Sequence, residues 1–420
     1  MRRVLAIVGS IAALTMLSAC WTVPGADSDR SGHNPTEHTI SPANVATMTK
    51  AWTFDAGEDV PTLSPVRSRG GIHVVASCRL VTLDPATGAE RWHINLFGPD
   101  GRCGDFPTEV VTRTPPYLLG DYVVAGVDDV YEDHWGASFY YRWIGSTSVA
   151  SVDEDGSPND PPRIQGVINS TRTRVVASTT AEDRNVDPPV QPVRTGHVWA
   201  APVGEALRVA GGLDSSTMGA HVLVKTGDGQ PKVEAYGLPS YISRSCGPDG
   251  TSDCPIWTFT ADGNLVGHAV LANAGDTAFV GTEAGNVYAL DGETGAVEWT
   301  ANIGSPVAAT AALADGMLYV PTGDGSLVVL DAATGAVRWR ASTGSAIDVP
   351  PTVAGGVVFT GSSDGGVHAY AASGCGASTC PALWSTSVGA AVSDQPMVDS
   401  GLLHVPTADG RLVTYRPATS

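Results

Sequence analysis

Val287-Tyr288-Ala289-Leu290-Asp291-Gly292-Glu293-Thr294-Gly295-Ala296-Val297-Glu298-Trp299 recurs as Leu327-Val328-Val329-Leu330-Asp331-Ala332-Ala333-Thr334-Gly335-Ala336-Val337-Arg338-Trp339. The two tryptophans lie 40 residues apart, a period that belongs to the four-stranded blades of propellers. A third copy runs from Leu80 to Trp92 around Asp84-Pro85-Ala86-Thr87-Gly88. Weaker copies occupy Val367 to Trp384 and Leu412 to Tyr415. Each unit reads as strands. Met317 to Val320 and Leu327 to Leu330 are short β-rich runs, and Thr322-Gly323-Asp324-Gly325 between them has the composition of a tight hairpin turn. In Asp-x-x-Thr-Gly the carboxylate can accept backbone N–H bonds, and the glycine can take a positive φ. Val337-Arg338-Trp339 then opens an outermost strand. One such sheet cannot cover both of its faces, so neighbouring blades must stack, with the tryptophan between them.

Composition agrees with many short strands. The 420 residues include 49 Gly and 29 Pro, and 42% are hydrophobic, without any long helical periodicity. A formal charge of −19 excludes nucleic acid as a natural partner, because phosphates need a basic face.

The chain begins with a leader. Arg2-Arg3 precedes an apolar run from Val4 to Leu17, too short to span a bilayer, and Leu17-Ser18-Ala19-Cys20 has the pattern of a lipobox. Residues 1–19 are therefore expected to be a lipoprotein signal peptide, with Cys20 lipidated and the rest of the chain outside the cytoplasm. Residues 20–45 read as anchor and lead-in. Ser41-Pro42 suits a helix start before Ala51-Trp52-Thr53-Phe54, which resembles a Trp-bearing outer strand. Residues 46–420 are expected to form the propeller. Trp52 closes the ring by pairing with the C-terminal segment.

Asn34-Pro35, Ile40-Ser41-Pro42-Ala43-Asn44-Val45 and Ala51-Trp52-Thr53-Phe54, with the Leu/Val-x-x-Leu-Asp-x-x-Thr-Gly-x-x-x-Trp repeats, resemble pyrroloquinoline-quinone (PQQ)-like β-propeller repeat proteins. That family holds quinoprotein alcohol and glucose dehydrogenases, and also non-catalytic lipoproteins such as the propeller subunit of the outer-membrane barrel-assembly machinery. The resemblance implies an all-β propeller. Counting the outer-strand tryptophans Trp52, Trp92, Trp257, Trp299, Trp339 and Trp384 gives eight blades, with seven the alternative. Between 92 and 257, Tyr117 to Val127 with Ser148 to Asp153, Val175 to Thr179 with His197 to Ala200, and Val222 to Tyr236 supply strands. Tyr131 to Trp143 and Asp183 to Arg194 read as loop insertions.

Besides Cys20 there are six cysteines. Cys246…Cys254 and Cys375…Cys380 occupy one slot, each just before an outer-strand tryptophan and in place of the short turn. In an exported protein they are expected to form disulfides, Cys246–Cys254 and Cys375–Cys380, with Cys78–Cys103 by elimination. Zinc is the rival, but the pairs lie in different blades. No catalytic, metal or cofactor-binding set emerges. Gly361-Ser362-Ser363-Asp364-Gly365 sits where a hairpin turn is due, not a nucleophile elbow. Asp128-Asp129 and Asp153-Glu154-Asp155-Gly156 lack the spaced ligands of a calcium loop. Alcohol-type dehydrogenases of the family carry an adjacent Cys-Cys pair against the quinone, and none exists here. Trp135, Trp143 and Trp199 read as core or loop anchors. The expected function is a protein-binding or scaffold module at the cell envelope, without cofactor. The alternative is a quinoprotein dehydrogenase of alcohols or sugars using PQQ and calcium.

Overall fold

A computed structural model describes Ala26 and residues 31–57, 61–76, 79–95, 255–272 and 276–418. Between 112 and 237 it describes the strands named below as backbone, with side chains at Pro116, Val123 and 231–235 only. The described strands form eight antiparallel sheets that follow one another along the chain. We call them blades 1 to 8 and name their strands from first, innermost, to fourth, outermost.

Blade 1 holds Val66–Ser68, Gly71–Ala76, Arg79–Leu83 and Glu90–Asn95. Blade 2 holds Tyr117–Leu119, Tyr122–Tyr131, His134–Trp143 and Val149–Val152. Blade 3 holds Gln165–Thr171, Arg174–Ala181, Thr195–Pro202 and Leu207–Ala210. Blade 4 holds Asp214–Met218, His221–Lys225, Lys232–Gly237 and Trp257–Thr260. Leu265–Ala272, Thr277–Thr282, Asn286–Asp291 and Val297–Asn302 make blade 5. Ala312–Ala314, Met317–Pro321, Ser326–Asp331 and Val337–Ser342 make blade 6, and Thr352–Ala354, Val357–Gly361, Gly366–Ala371 and Trp384–Ser387 make blade 7. Blade 8 takes Met397–Asp399, Leu402–Pro406 and Arg411–Pro417 from the C-terminus and Met48–Asp55 from the N-terminus, in register from Met48 opposite Pro417 to Asp55 opposite Arg411.

Where side chains are described, the third strands are largely buried on both faces, most fully in Ser326–Asp331, whose four central residues Leu327 to Leu330 are all inaccessible. This is the physical reason for the unbroken Leu-Val-Val-Leu run in place of an alternating pattern, since each blade is covered by a neighbour on either side. The core is accordingly a series of layers between blades. One joins Phe279 and Val287 of blade 5 to Leu318 and Val328 of blade 6. Another joins Trp52 and Leu412 of blade 8 to Val66 and Val74 of blade 1.

Three features depart from the sequence reading. Tyr131 to Trp143 is not a loop insertion: His134–Trp143 pairs along its whole length with Tyr122–Tyr131, so the aromatic-rich run is strand. Asp128-Asp129 lies within that hairpin, in strand rather than loop. Second, Ser41 caps no helix. Asn44 Oδ1 instead accepts from the Ser41 N–H (2.8 Å), and a single 3-10 turn, Val45–Thr47, leads directly into the strand at Met48. Third, the lead-in is part of the propeller. His33–Asn34 pairs in parallel with the innermost strand of blade 7. The Asp183 to Arg194 insertion lies outside the described residues.

Candidate interaction surfaces

The outer edge of the ring is built from one repeated contact. In the Asp-x-x-Thr-Gly turns, Asp291 Oδ1 accepts from the Thr294 N–H (2.8 Å) and Thr294 Oγ1 (2.6 Å), and Asp84 Oδ1 accepts from the Thr87 N–H and Oγ1, both at 3.1 Å. Arg91, hydrogen-bonded to Asp84, holds that carboxyl down at about 2. The Thr294 hydrogen bonds also lower Asp291 below the usual carboxylate range, and Arg338 with Thr334 lowers Asp331. These turns remain charged and closed at any physiological pH.

The tryptophan of the preceding blade docks onto each turn. Nε1 of Trp52, Trp257 and Trp299 donates to the carbonyls of Pro85, Gly292 and Ala332, each at 3.0 Å. The turn glycine lies flat beneath the indole. A Cβ on Gly335 would stand 2.6 Å from Trp299, and one on Gly295 2.5 Å from Trp257. A bulge aims the ring. In blade 5 the register slips between Ala289, opposite Trp299, and Leu290, opposite Val297, leaving Glu298 as the extra residue. Arg338 and Arg91 are the extra residues in blades 6 and 1, and Ala51 in blade 8. An extra residue bends the strand and re-aims the next side chain, here across to the neighbouring blade. Trp92 is half-buried against His73, with ring centroids 5.9 Å apart. Trp384 donates to Met48 O at 3.2 Å, so blade 7 clamps the start of the closing strand.

In blade 7 the short turn is replaced by a loop closed by the Cys375–Cys380 disulfide. This loop lies along the outermost strand of blade 6: the Arg340 N–H donates to Ser378 O (2.9 Å) and the Cys380 N–H to Arg340 O (2.8 Å). Trp339 still packs on Gly374, but Tyr319 Oη has taken the Ala372 carbonyl (3.1 Å) that corresponds to Ala332, and Trp339 Nε1 is left buried without an acceptor. An open concavity of about 630 Å³ adjoins the loop, with Asp315, Met317, Arg338 and Ser378 in its wall. Cys20, Cys78, Cys103, Cys246 and Cys254 lie outside the described residues.

Blades 8 and 1 carry a variant of the stack. Where blade 5 has Phe279, Ala289 and Trp299 side by side, blade 1 has His73, Thr82 and Trp92, and blade 8 has His404, Thr414 and Trp52. Each histidine bonds its threonine through Nδ1, at 2.7 and 2.8 Å. Burial holds both rings neutral, with pKa values of about 3, and Arg67 adds to the effect. They are core residues. The sequence signal, histidine in the second strand with threonine opposite in the third, was available.

Among the described residues, no group of three or more His, Cys, Asp or Glu is placed to hold a metal ion. Ser362 and Asp364 form a hairpin turn, with Ser362 Oγ bonded to Asp364 Oδ1 at 2.6 Å. What the rim does present is a row of aliphatic side chains. Ile256, Val297, Val337 and Leu383 are 48, 47, 47 and 36% exposed. All four sit at the start of the outermost strand, one or two residues before the docked tryptophan, in blades 4, 5, 6 and 7.

Residues 249–374 and 328–420 match the family model described as outer membrane protein assembly factor BamB. No match is found among curated proteins. Among solved structures the chain is similar to the computationally designed Ika8 protein, at 15% identity and a TM-score of 0.62, covering 88% of this chain and 99% of that one. It is also similar to the quinohemoprotein alcohol dehydrogenase ADHIIG of Pseudomonas putida HK5 (13% identity, TM-score 0.67, 96% and 81% covered). A europium-containing methanol dehydrogenase is matched at 13% identity with a TM-score of 0.63, covering 94% and 98%. At these identities the likeness is one of fold. The chain has the β-propeller fold, and its residues 249–420 match the repeats of that family model.

Proposed function

We propose that the protein is a lipid-anchored, extracytoplasmic propeller that binds envelope proteins as a scaffold, and that it is not an enzyme. The observation that carries this reading is the exposed row Ile256, Val297, Val337 and Leu383. Single exposed aliphatics are ordinary, but one at the same place on each of four successive blades makes a repeated set of apolar points on one edge, which a partner lying along that edge could cover. The family match supports it, since the matched model is that of an outer-membrane assembly factor. The lipobox at Cys20 supplies the anchor.

A photo-crosslinking side chain at Val297 or Val337 is expected to give discrete adducts with an envelope protein, and the same group at Ala284 none. Absence of adducts at the rim defeats the reading. Cys20→Ala is expected to release the protein from the membrane fraction or leave it unprocessed. Purified protein supplied with PQQ and calcium is expected to show no dye-linked oxidation of alcohols or sugars. Turnover there would favour the dehydrogenase alternative.

A further inference from the structure

The lead-in threads the ring in one direction. We call the face with the second–third hairpins, such as Thr322-Gly323-Asp324-Gly325, the upper face, and the face with the Asp-x-x-Thr-Gly turns the lower. First strands run from upper to lower, and His33–Asn34 is parallel to the first strand of blade 7. The Leu313 N–H of blade 6 donates to Ser31 O (2.7 Å) and the Val353 N–H of blade 7 to Gly32 O (2.8 Å). Asn34 Nδ2 reaches Val398 O of blade 8 (2.8 Å). Residues 31–34 therefore descend along the innermost strands of three blades, on the axial side.

The segment leaves by the lower face. Glu37, 3% exposed, accepts from the Gly401 N–H through Oε2 (2.8 Å) and from Thr39 and Ile40 N–H through Oε1 (2.6 and 3.0 Å). Gly401 and Gly355 belong to the lower turns of blades 8 and 7, and a Cβ on Gly355 would lie 1.9 Å from Ile40 O. The chain then crosses outward between those turns to become the closing strand at Met48. With 31–40 held this way, the described lead-in is entered at Ser31 from the upper side, near the axis, and Ala26 upstream of it is buried in the layer between blades 8 and 1.

Cys20 precedes Ser31 by 11 residues. Such a tether spans roughly 36–40 Å fully extended and about 17–20 Å as a flexible coil. Its free length is shorter still, because Ala26 is buried. To bring lipid beneath the lower face it must cross about 14 Å from innermost to outermost strand and then about 17 Å along a strand, with the rim still to be rounded. That route needs nearly full extension, whereas the upper face is reached without any.

We infer that the threaded segment fixes the polarity of the molecule on a membrane: the upper face is turned toward the lipid surface, and the lower rim bearing Ile256, Val297, Val337 and Leu383 is turned away, toward a soluble partner. This rests on the anchored reading, so the test imposes the anchor. The mature chain with a hexahistidine tag in place of Cys20 is bound to vesicles of phosphatidylcholine and nickel-chelating lipid with a headgroup quencher. A fluorophore is attached at Ala284→Cys, in the upper hairpin of blade 5, or at Glu293→Cys, in its lower turn. Both sites are exposed, so neither change threatens folding. The Ala284 label is expected to be quenched about 3-fold more than the Glu293 label. A linker of about 30 Gly/Ser residues after the tag should erase the difference, its coil exceeding the thickness of a blade. Equal or reversed quenching with the short tether overturns the inference. If the untagged, Cys20-bearing protein fails to partition into cell membranes while the tagged one shows the asymmetry, the anchoring falls and the polarity stands.

Discussion

At the scale of single residues, the glycine of each Asp-x-x-Thr-Gly turn does two things at once. Gly335 takes φ +71° and lies against Trp299, whereas Gly304 takes φ +81° with nothing within 4 Å of a Cβ. Gly304→Ala is expected to cost only the left-handed backbone penalty, about 1–2 kcal/mol. Gly335→Ala adds overpacking against the indole, a further 1–3 kcal/mol or so. Denaturation midpoints of the two variants, compared at equal m, read that difference directly. The paired histidines make a second expectation. His73 and His404 have folded pKa values of about 3 against 6.5 unfolded, so the unfolded chain binds more protons between those limits. Their contribution is complete above pH 6.5 and is lost as pH falls toward 3, each histidine adding a slope of about 1.4 kcal/mol per pH unit. His404→Phe, which restores the residue type found at Phe279, should reduce the slope measured between pH 4 and 6 by that amount. An unchanged slope means His404 is not held neutral.

At the scale of elements, the repeat made the strands and turns legible because each carries its own local signal: a β-rich run, a Gly-Asp-Gly hairpin, an Asp-x-x-Thr-Gly corner. The tryptophan between blades was legible for the same reason. What the sequence hid was long-range. Nothing in Glu298 or Arg338 announces a bulge, which exists only when the third strand lies opposite. The aromatic run Tyr131 to Trp143 lacks the repeat signature and so read as a loop, although its residues are strong strand formers. The Cys375–Cys380 loop was recognised by its slot, but its contact along Arg340 was not. An outermost strand exposes unpaired N–H and C=O groups, and this loop covers that edge in blade 6. Cys375→Ser with Cys380→Ser should therefore raise amide exchange at Arg340, whose N–H donates to Ser378 O, by tenfold or more, while Thr300, the matching residue of blade 5, is unaffected. Global stability should fall by about 2 kcal/mol, the entropy of so short a loop.

At the scale of the whole molecule, the seam between blades 8 and 1 is where the ring is joined, and several independent contacts meet there. Met48–Asp55 pairs with Arg411–Pro417, Arg67 bonds Asp399 at 3.0 Å across the innermost strands, and Ser64 is tied to Asp394 and Gln395 at 2.9 and 3.0 Å. Trp52 on the closing strand reaches Pro85 of blade 1, and Trp384 of blade 7 reaches Met48. The closing strand is thus held on three sides, by blades 7, 8 and 1, and its removal breaks more than one sheet. Deleting residues 46–56 would leave the Arg411–Pro417 edge unpaired, take Trp52 away from the His404–Thr414 pair and from the Pro85 turn, and leave Trp384 without its acceptor at Met48. Such a chain is expected to aggregate, or to melt well below the parent, because an exposed strand edge recruits other chains. A peptide of residues 46–56 added in trans during refolding should recover soluble monomer if edge pairing is the cause. If the truncated chain melts like the parent, closure does not depend on this strand, and the stability of the ring must reside in the stacking of the other blades.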